Sequence, residues 1–487
     1  MAIETGTFDS IIPSRYISFT LPRLSLRCPP GYFHTEDLQI SVLDSPTESV
    51  DTPKVAAMLV PKNRENDWIF TTEAGHLQLL LSSPGISRLI LIGNTPVCDE
   101  YAVKIYRKSV EKDPSYMEKL EQSLYPLFMA LLPKEVAEKG NCEVPFLSYE
   151  DNVISSVIIA RCAGPCVGEM LVEDVEIEGP SRVFRRRLRF KRLPNLVQTE
   201  ILVTPDDDCL NALQIEELEF CPNLEVLVHP YLQPMVAGLS LISGHIQEQF
   251  ELGVKPRAFC LGVGGGALLS YLSKVLGFEV VGVELDDVVL RVAKQYFGLQ
   301  TGRGIQTYVG DGINILKQMS CYANGNESRP LLANDVRNDS CGNKIDAFRS
   351  KFDVLMVDLD SSDYKMGISA PAVEFVRKDV LLAAKLSLSE HGILALNVIP
   401  PNRSFYDMLI QEMREVFADL HEIDCGNEEN VALIASVSPN HFNPATSRNT
   451  FTGKLKSVLS EHLWTKLRKY EVYNVRFGVG FKHQMLP

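Results

Sequence analysis

The sequence predicts an α/β protein with a doubly wound, mostly parallel sheet in its C-terminal half, preceded by a β-hairpin and a smaller α/β accessory domain. Three observations predict it. Strand-like and helix-like segments alternate from Arg257 to Val437. A glycine-rich turn, Cys260-Leu-Gly-Val-Gly-Gly-Gly266, joins the first strand of that series to its first helix. The second strand then ends in an acid, Glu284, about 20 residues past the turn. Together these make the sheet Rossmann-like.

Residues 1–35 read as an N-terminal arm, loose over its first 20 residues. Residues 36–180 read as the accessory α/β domain. Val55–Val60 and Arg88–Gly93 are short apolar runs typical of buried strands, with a helical segment at His76–Leu81 between them. Met117–Leu132 carries helix-spaced apolar residues at Leu120, Leu124, Leu127, Phe128 and Leu131. Val153–Ala160 returns to strand. No catalytic motif is evident in this part.

Residues 181–228 read as a β-hairpin region. In Arg182–Phe190, Phe184, Leu188 and Phe190 fall on one face and Arg185, Arg187 and Arg189 on the other, a period of two. Leu196–Val203 supplies the second strand. The basic face is either a solvated strand surface or a dock for an acidic partner.

Residues 229–487 form the cofactor domain. Its strands are expected at Arg257–Gly262, Phe278–Glu284, Ile305–Val309, Phe352–Asp358, Gly392–Val398 and Val431–Val437. Helices are expected at Ala267–Leu276, Asp287–Phe297, Ala372–Leu386 and Phe405–Phe417. Residues 321–350, rich in Asn, Asp, Ser and Gly, read as a flexible insertion.

Composition sets outer bounds. A chain of 487 residues holds two or three domains. At 45% hydrophobic and 23% charged residues it is neither disordered nor collagenous. A net charge of −14 disfavours general nucleic-acid binding and suits a basic partner. The eleven cysteines include no Cys-x-x-Cys pair, and no histidine completes a metal set beside Cys162 and Cys166. Reduced thiols imply a reducing compartment, and no leader or membrane span is evident, so a cytoplasmic location is expected.

The glycine turn at Gly262, Gly264 and Gly265 permits a tight backbone and close approach of a ligand. Glu284 is placed to accept hydrogen bonds from both hydroxyls of a ribose. Dinucleotides and S-adenosyl-L-methionine share this layout. The G-x-x-G spacing that cradles a pyrophosphate is absent, which favours the nucleoside sulfonium. Asp311, ending the third strand, would accept from the adenine amino group. Asp358 and Asp360, at the end of the fourth strand and on one face by parity, would hold an acceptor amine and take its proton.

The glycine turn, Val283-Glu284-Leu-Asp286, Gly310-Asp311-Gly312 and Asp358-Leu-Asp360 resemble the spermidine synthase-like branch of class I methyltransferases. The pattern is most similar to the C-terminal, N-terminal-amine-modifying domain of the eukaryotic lysine and N-terminal methyltransferases of translation elongation factor 1-alpha. The likeness includes Met58–Trp68, Val144–Ser148, Phe184–Phe190, Val197-Gln-Thr-Glu200, Met235–Leu239 and Asp358–Pro371. It implies S-adenosyl-L-methionine as cofactor, with Asp286, Gly312 and Gln198 joining Gly262, Gly264, Gly265, Glu284 and Asp311 in its site. It implies Asp358 and Asp360 as catalytic residues, no metal, and a protein substrate such as elongation factor 1-alpha, with a homodimer as one option. The sequence departs from the pattern in two places. Tyr231 and Leu232 stand where the family often has paired histidines, and His229 is displaced. Asp363 is followed by Tyr364 rather than proline, which argues against polyamine synthesis. An aminopropyltransferase and a non-catalytic binding protein on the same fold are the rival readings.

Overall fold

The computed structural model describes residues 6–47, 52–96, 105–109, 114–138, 144–206, 214–323, 337–338, 346–361, 370–427, 430–439 and 449–469. Most of the expected insertion at 321–350 lies outside these residues. Within it, helix continues to Ala323 and a 3-10 turn spans Asp346–Phe348, whose Phe348 is buried against Phe259.

Val55–Leu59 and Arg88–Asn94 are fully buried parallel strands, joined through the helix Glu73–Leu81. They sit in a five-stranded sheet with Asp37–Asp44, Tyr16–Pro22 and Phe146–Leu147. The helix Pro114–Leu131 covers one face with Leu120, Leu124 and Phe128. The segment read as a loose arm is therefore built into the sheet. Tyr16–Pro22 pairs antiparallel with Asp37–Asp44, and the residues before it are held by Arg88, fully buried, which must be paired. Its Nε lies 2.6 Å from Asp44, and its other donors reach the backbone oxygens of Phe8 and Ser10, both at 2.8 Å.

A second sheet of six antiparallel strands follows, from Ile105–Arg107 to Phe220–Asn223. Val183–Phe190 and Val197–Pro205 are its third and second strands counted from the Phe220–Asn223 edge, so the expected hairpin is continuous with Val153–Gly164 and Gly168–Ile177. Phe184 and Leu188 face inward, as their period requires, and pack with Val289 and Phe297 of the following domain. The basic face is paired, though Arg185 remains partly exposed. Arg185 and Arg187 each pair with Glu200 at 2.7 Å, and Arg189 pairs with Glu173 and with Asp67, the N-cap of the helix Trp68–Thr71.

The C-terminal sheet contains β1 (Arg257–Leu261), β2 (Glu279–Glu284), β3 (Ile305–Val309), β4 (Phe352–Val357), β5 (Leu388–Val398), β6 (Asp419–Asp424) and β7 (Val431–Ser436). Their order is 3-2-1-4-5-7-6, with short strands at Arg337–Asn338 and Leu467–Lys469 on the two edges. Strands β1 to β5 are parallel, while β7 runs antiparallel to both β5 and β6. This is the expected Rossmann-like sheet. Strand β6, not anticipated, escapes a periodicity reading because Leu420 and Ile423 do not alternate strictly. Helices α1 (Ala267–Lys274), α2 (Asp287–Tyr296), α3 (Gly312–Ala323), α4 (Lys378–Ser387) and α5 (Arg403–Val416) connect the strands. Helix α4 starts later than the expected Ala372, because Val373–Val376 forms a separate 3-10 turn that buries Phe375. Among the described residues no helix is long and apolar enough to cross a membrane.

Candidate active site

Strand order reverses beside β1, and the crevice outside the carboxyl ends of β1, β2 and β4 is where such sheets bind ligands. A cavity of about 1120 Å³ occupies that place. The turn from β1 to α1 forms its floor. Gly262 has φ +82°, and a Cβ there would lie 2.1 Å from the Asp358 carbonyl oxygen, so only glycine fits. Gly264 also lines the cavity. Gly265 does not: its N–H donates to Thr199 Oγ1 at 2.7 Å, and a Cβ would strike the Thr199 methyl. The glycine at that position admits the second sheet, not a ligand.

Glu284 ends β2 and lines the cavity, 9% exposed. Its Oε2 accepts from the N–H groups of Val263 (3.0 Å) and Gly264 (3.3 Å), and its Oε1 from Leu285 (2.9 Å) and Asp286 (3.3 Å). Burial pushes its pKa up, and those four amides oppose the shift. The carboxylate thus shapes the glycine turn and presents its oxygens at the crevice. Asp311 caps α3, accepting from Ile313 N–H at 2.9 Å, and lines the cavity with Gly312. Leu285 is 54% exposed at the same wall, and Ile313 lies nearby, giving apolar surface on which a flat base can rest.

Asp286 is elsewhere. It is fully buried, outside the cavity lining. Its Oδ1 caps α2 through Val288 N–H (3.0 Å), and its Oδ2 accepts from the N–H groups of Cys166 (2.8 Å) and Val167 (3.0 Å) in a turn of the second sheet. The expected cofactor contact at Asp286 is corrected to a cap and an inter-sheet anchor.

The two candidate catalytic acids line the cavity together but do not share a strand face, because β4 ends at Val357. Asp358 Oδ2 accepts from the Tyr231 hydroxyl at 3.0 Å and Oδ1 from the Asn397 amide at 2.9 Å. Burial pushes its pKa to about 6, those two donors restrain the shift, and the charge of Asp360 adds to it. The Tyr231 phenol is pushed well up by burial and then by Asp358. Asp360 is held by Arg192, whose Nη2 lies 2.9 Å from both carboxylate oxygens, and by the Gln198 amide at 3.1 Å. Gln198, expected in the cofactor site, lines the same cavity and donates to Asp360. Asp363 and Tyr364 lie outside the described residues.

Arg192, Asn397 and Thr199 are functional neighbours that no sequence motif marks. Asn397 carried a signal, as the one polar side chain in the apolar run Ile393–Val398. Arg192 and Thr199 carried none, since their importance lies in what a distant segment places opposite them. His229 also lines the cavity. Burial pushes its pKa down to about 4, and its Nε2 is buried with no hydrogen-bond partner among the described residues.

The residues present fit S-adenosyl-L-methionine: a backbone floor at Gly262 and Gly264, carboxylates at Glu284 and Asp311, and apolar surface at Leu285. No family model matches the chain. Over 418 residues it is 25% identical to the eEF1A lysine and N-terminal methyltransferase of Homo sapiens, covering 82% of this chain and 53% of that protein. The same-named protein of Danio rerio is 25% identical over 437 residues, 86% of this chain and 56% of that one. These proteins are its homologues. The Drosophila melanogaster homolog is also 25% identical, over 80% of this chain and 51% of its own length. The chain spans about half the length of the curated relatives it matches. Among solved structures, human methyltransferase-like protein 13 in complex with SAH aligns with a TM-score of 0.37 and 23% identity, over 51% of this chain and 98% of that one. A probable spermidine synthase from Corynebacterium glutamicum aligns with a TM-score of 0.40 and 14% identity, over 61% of this chain and 86% of that one.

Proposed function

We propose that this chain is an S-adenosyl-L-methionine-dependent methyltransferase acting on an amine of a protein, with translation elongation factor 1-alpha as the substrate and its N-terminal α-amine as the preferred acceptor. Residues 229–487 carry the transfer, and the two preceding sheets frame the acceptor side. The observation that carries the reading is the pair of carboxylates, Asp358 and Asp360, at the carboxyl end of β4 in the same cavity as Glu284 and Asp311. The relatives' names support the protein substrate.

The cofactor supplies an electrophilic methyl group on a sulfonium. The chain's own residues bind and orient. Gly262 and Gly264 would approach the methionine part, Glu284 the ribose hydroxyls, and Asp311 the adenine. To hold a ribose, Glu284 shares lone pairs now given to Val263 and Gly264. Asp358, ionised above about pH 6, faces the acceptor amine and takes the proton it loses as the new C–N bond forms. Tyr231 and Asn397 fix the orientation of that carboxylate. The rest of catalysis is alignment for in-line displacement. An α-amine, with a pKa of about 7.7–8.0, offers far more neutral nucleophile at pH 7 than a lysine at about 10.4.

The cytoplasm suits the chain: the seven described cysteines are all free thiols. The test supplies the purified protein with S-adenosyl-L-methionine and elongation factor 1-alpha, and separately with the decarboxylated cofactor and putrescine. Mass spectrometry of the products then separates the readings. Methylation of the factor's terminal amine is expected; spermidine formation without protein methylation would overturn the proposal.

A further inference from the structure

A second cleft of about 440 Å³ lies where the first sheet's unit meets the second sheet. Its walls include Arg64, Ser83 and Tyr149 on one side and Arg187 and Arg189 on the other. Asn195 and Val197 line both this cleft and the catalytic cavity, so one loop separates the two. That loop is tied at both ends. Arg192 grips Asp360 on the catalytic side, and Asn195 N–H donates to Gln78 Oε1 of the first unit at 2.8 Å. Asn195 lies three positions past Arg192, at most about 10 Å of chain. A substrate chain with its terminal amine at the acids would therefore enter the second cleft within its first few residues.

The charges favour one kind of chain. Every arginine in the cleft wall is matched: Arg64 by Asp67 and Asp151, Arg187 by Glu200, Arg189 by Asp67 and Glu173. Glu150, exposed at the rim, has no partner among the described residues. The uncompensated charge is negative, on a chain of net charge −14.

We infer that this cleft receives an extended, basic polypeptide segment of the substrate, immediately following the acceptor amine. The inference rests on the protein-amine reading above and assigns to the first unit the holding of the substrate's chain. Cofactor binding does not need it. Selection of a polypeptide over a small amine does.

The test uses the full chain with three probes: elongation factor 1-alpha, a peptide of roughly its first dozen residues, and its first three residues alone. The long peptide should show a KM at least about tenfold below that of the tripeptide, a difference of about 1.4 kcal/mol. Ser83→Trp, which fills the cleft, should bring that ratio close to one, with melting temperature and S-adenosylhomocysteine affinity measured alongside. Should Ser83→Trp not fold, Glu150→Lys reads the same site by charge. The long peptide made with lysines after its first residue should outcompete the version made with glutamates, and Glu150→Lys should narrow or reverse that preference. Equal KM values for the long and short peptides, or a preference for glutamates, would overturn the cleft and leave the methyltransferase reading standing. No methylation of any of the three probes would overturn that reading itself.

Discussion

Asp358→Asn is expected to make the protein more stable at neutral pH while disabling it. The wild-type carboxyl is moved from its ordinary 3.8 to about 6, chiefly by burial. In the folded chain it keeps its proton up to about pH 6; in the unfolded chain it loses it near 3.8. Folding therefore takes up a proton between those values, and stability falls as pH rises through them. A displacement of about two pH units corresponds to about 3 kcal/mol, fully lost above about pH 7. Asparagine carries no charge at any pH. It keeps one acceptor for Tyr231 or Asn397 and loses the other, at a cost of about 1 kcal/mol. The variant should thus be more stable than wild type by about 2 kcal/mol at pH 7.5, and equal to it near pH 4.5. For a domain of this size, 2 kcal/mol is about 4–8 °C in melting temperature. Calorimetry of both proteins at the two pH values reads this directly. Single-turnover methyl transfer should meanwhile fall by about 10²-fold or more, the usual scale for a positioned acid–base group. A melting-temperature difference that is the same at both pH values would show that the carboxyl is not held above its ordinary range, and the argument would fail.

Three further outcomes follow from the same geometry. Glu284→Gln should weaken S-adenosylhomocysteine binding by roughly 10–100-fold, because one carboxylate oxygen becomes an NH2 donor facing backbone N–H groups that can only donate; unchanged affinity by calorimetry in a folded variant would remove Glu284 from the cofactor site. Asp286→Ala should cost roughly 2–4 kcal/mol of stability through the lost cap and two inter-sheet bonds, with a smaller effect on affinity than Glu284→Gln; an unchanged melting temperature with lost affinity would restore the cofactor role. Arg192→Ala should lower the KM of the acceptor a few-fold by freeing Asp360, with S-adenosylhomocysteine affinity within a few-fold of wild type; an unaltered KM would show that the acceptor does not use Asp360.

What the sequence displays and what it hides divide along one physical line. A parallel strand buried on both faces must be apolar throughout, so Phe259–Leu261, Val280–Val283 and Val354–Val357 stand out as runs, and a polar residue that follows such a run lies at the ligand crevice. That is why Glu284, Asp358 and Asp360 stand out one strand at a time, whereas Asp311 follows Ile305–Val309, which carries Gln306 and Thr307, and is marked instead by the turn Gly310-Asp311-Gly312. What the local pattern cannot carry is the group that arrives from elsewhere. Gly265 reads as a ligand's approach and proves to be Thr199's; Asp286 reads as a cofactor contact and proves to hold the 166–167 turn. The basic strand reads as free because the acids that match it, Glu200, Glu173 and Asp67, lie on two neighbouring strands and in another sheet's unit.

Those hidden contacts have a common direction. Thr199, Gln198 and Arg192 all come from one antiparallel pair and its connecting loop, and they touch the glycine turn and Asp360. The same pair is fastened to the first unit by Arg189 on Asp67 and by Asn195 on Gln78. On the proposed reading the cofactor face of the cavity is made almost wholly by the Rossmann-like sheet, whereas the acceptor face is made by a strand pair that answers to the N-terminal unit. A substitution at Gln78 that breaks its bond to Asn195 should therefore alter acceptor KM before it alters cofactor affinity, since the loop it releases bears on Asp360 and not on Glu284. Measuring both constants for Gln78→Leu, which keeps most of the side-chain volume, decides it: equal effects on the two would mean that the loop stands without the first unit, and that the acceptor face is built by the strand pair alone.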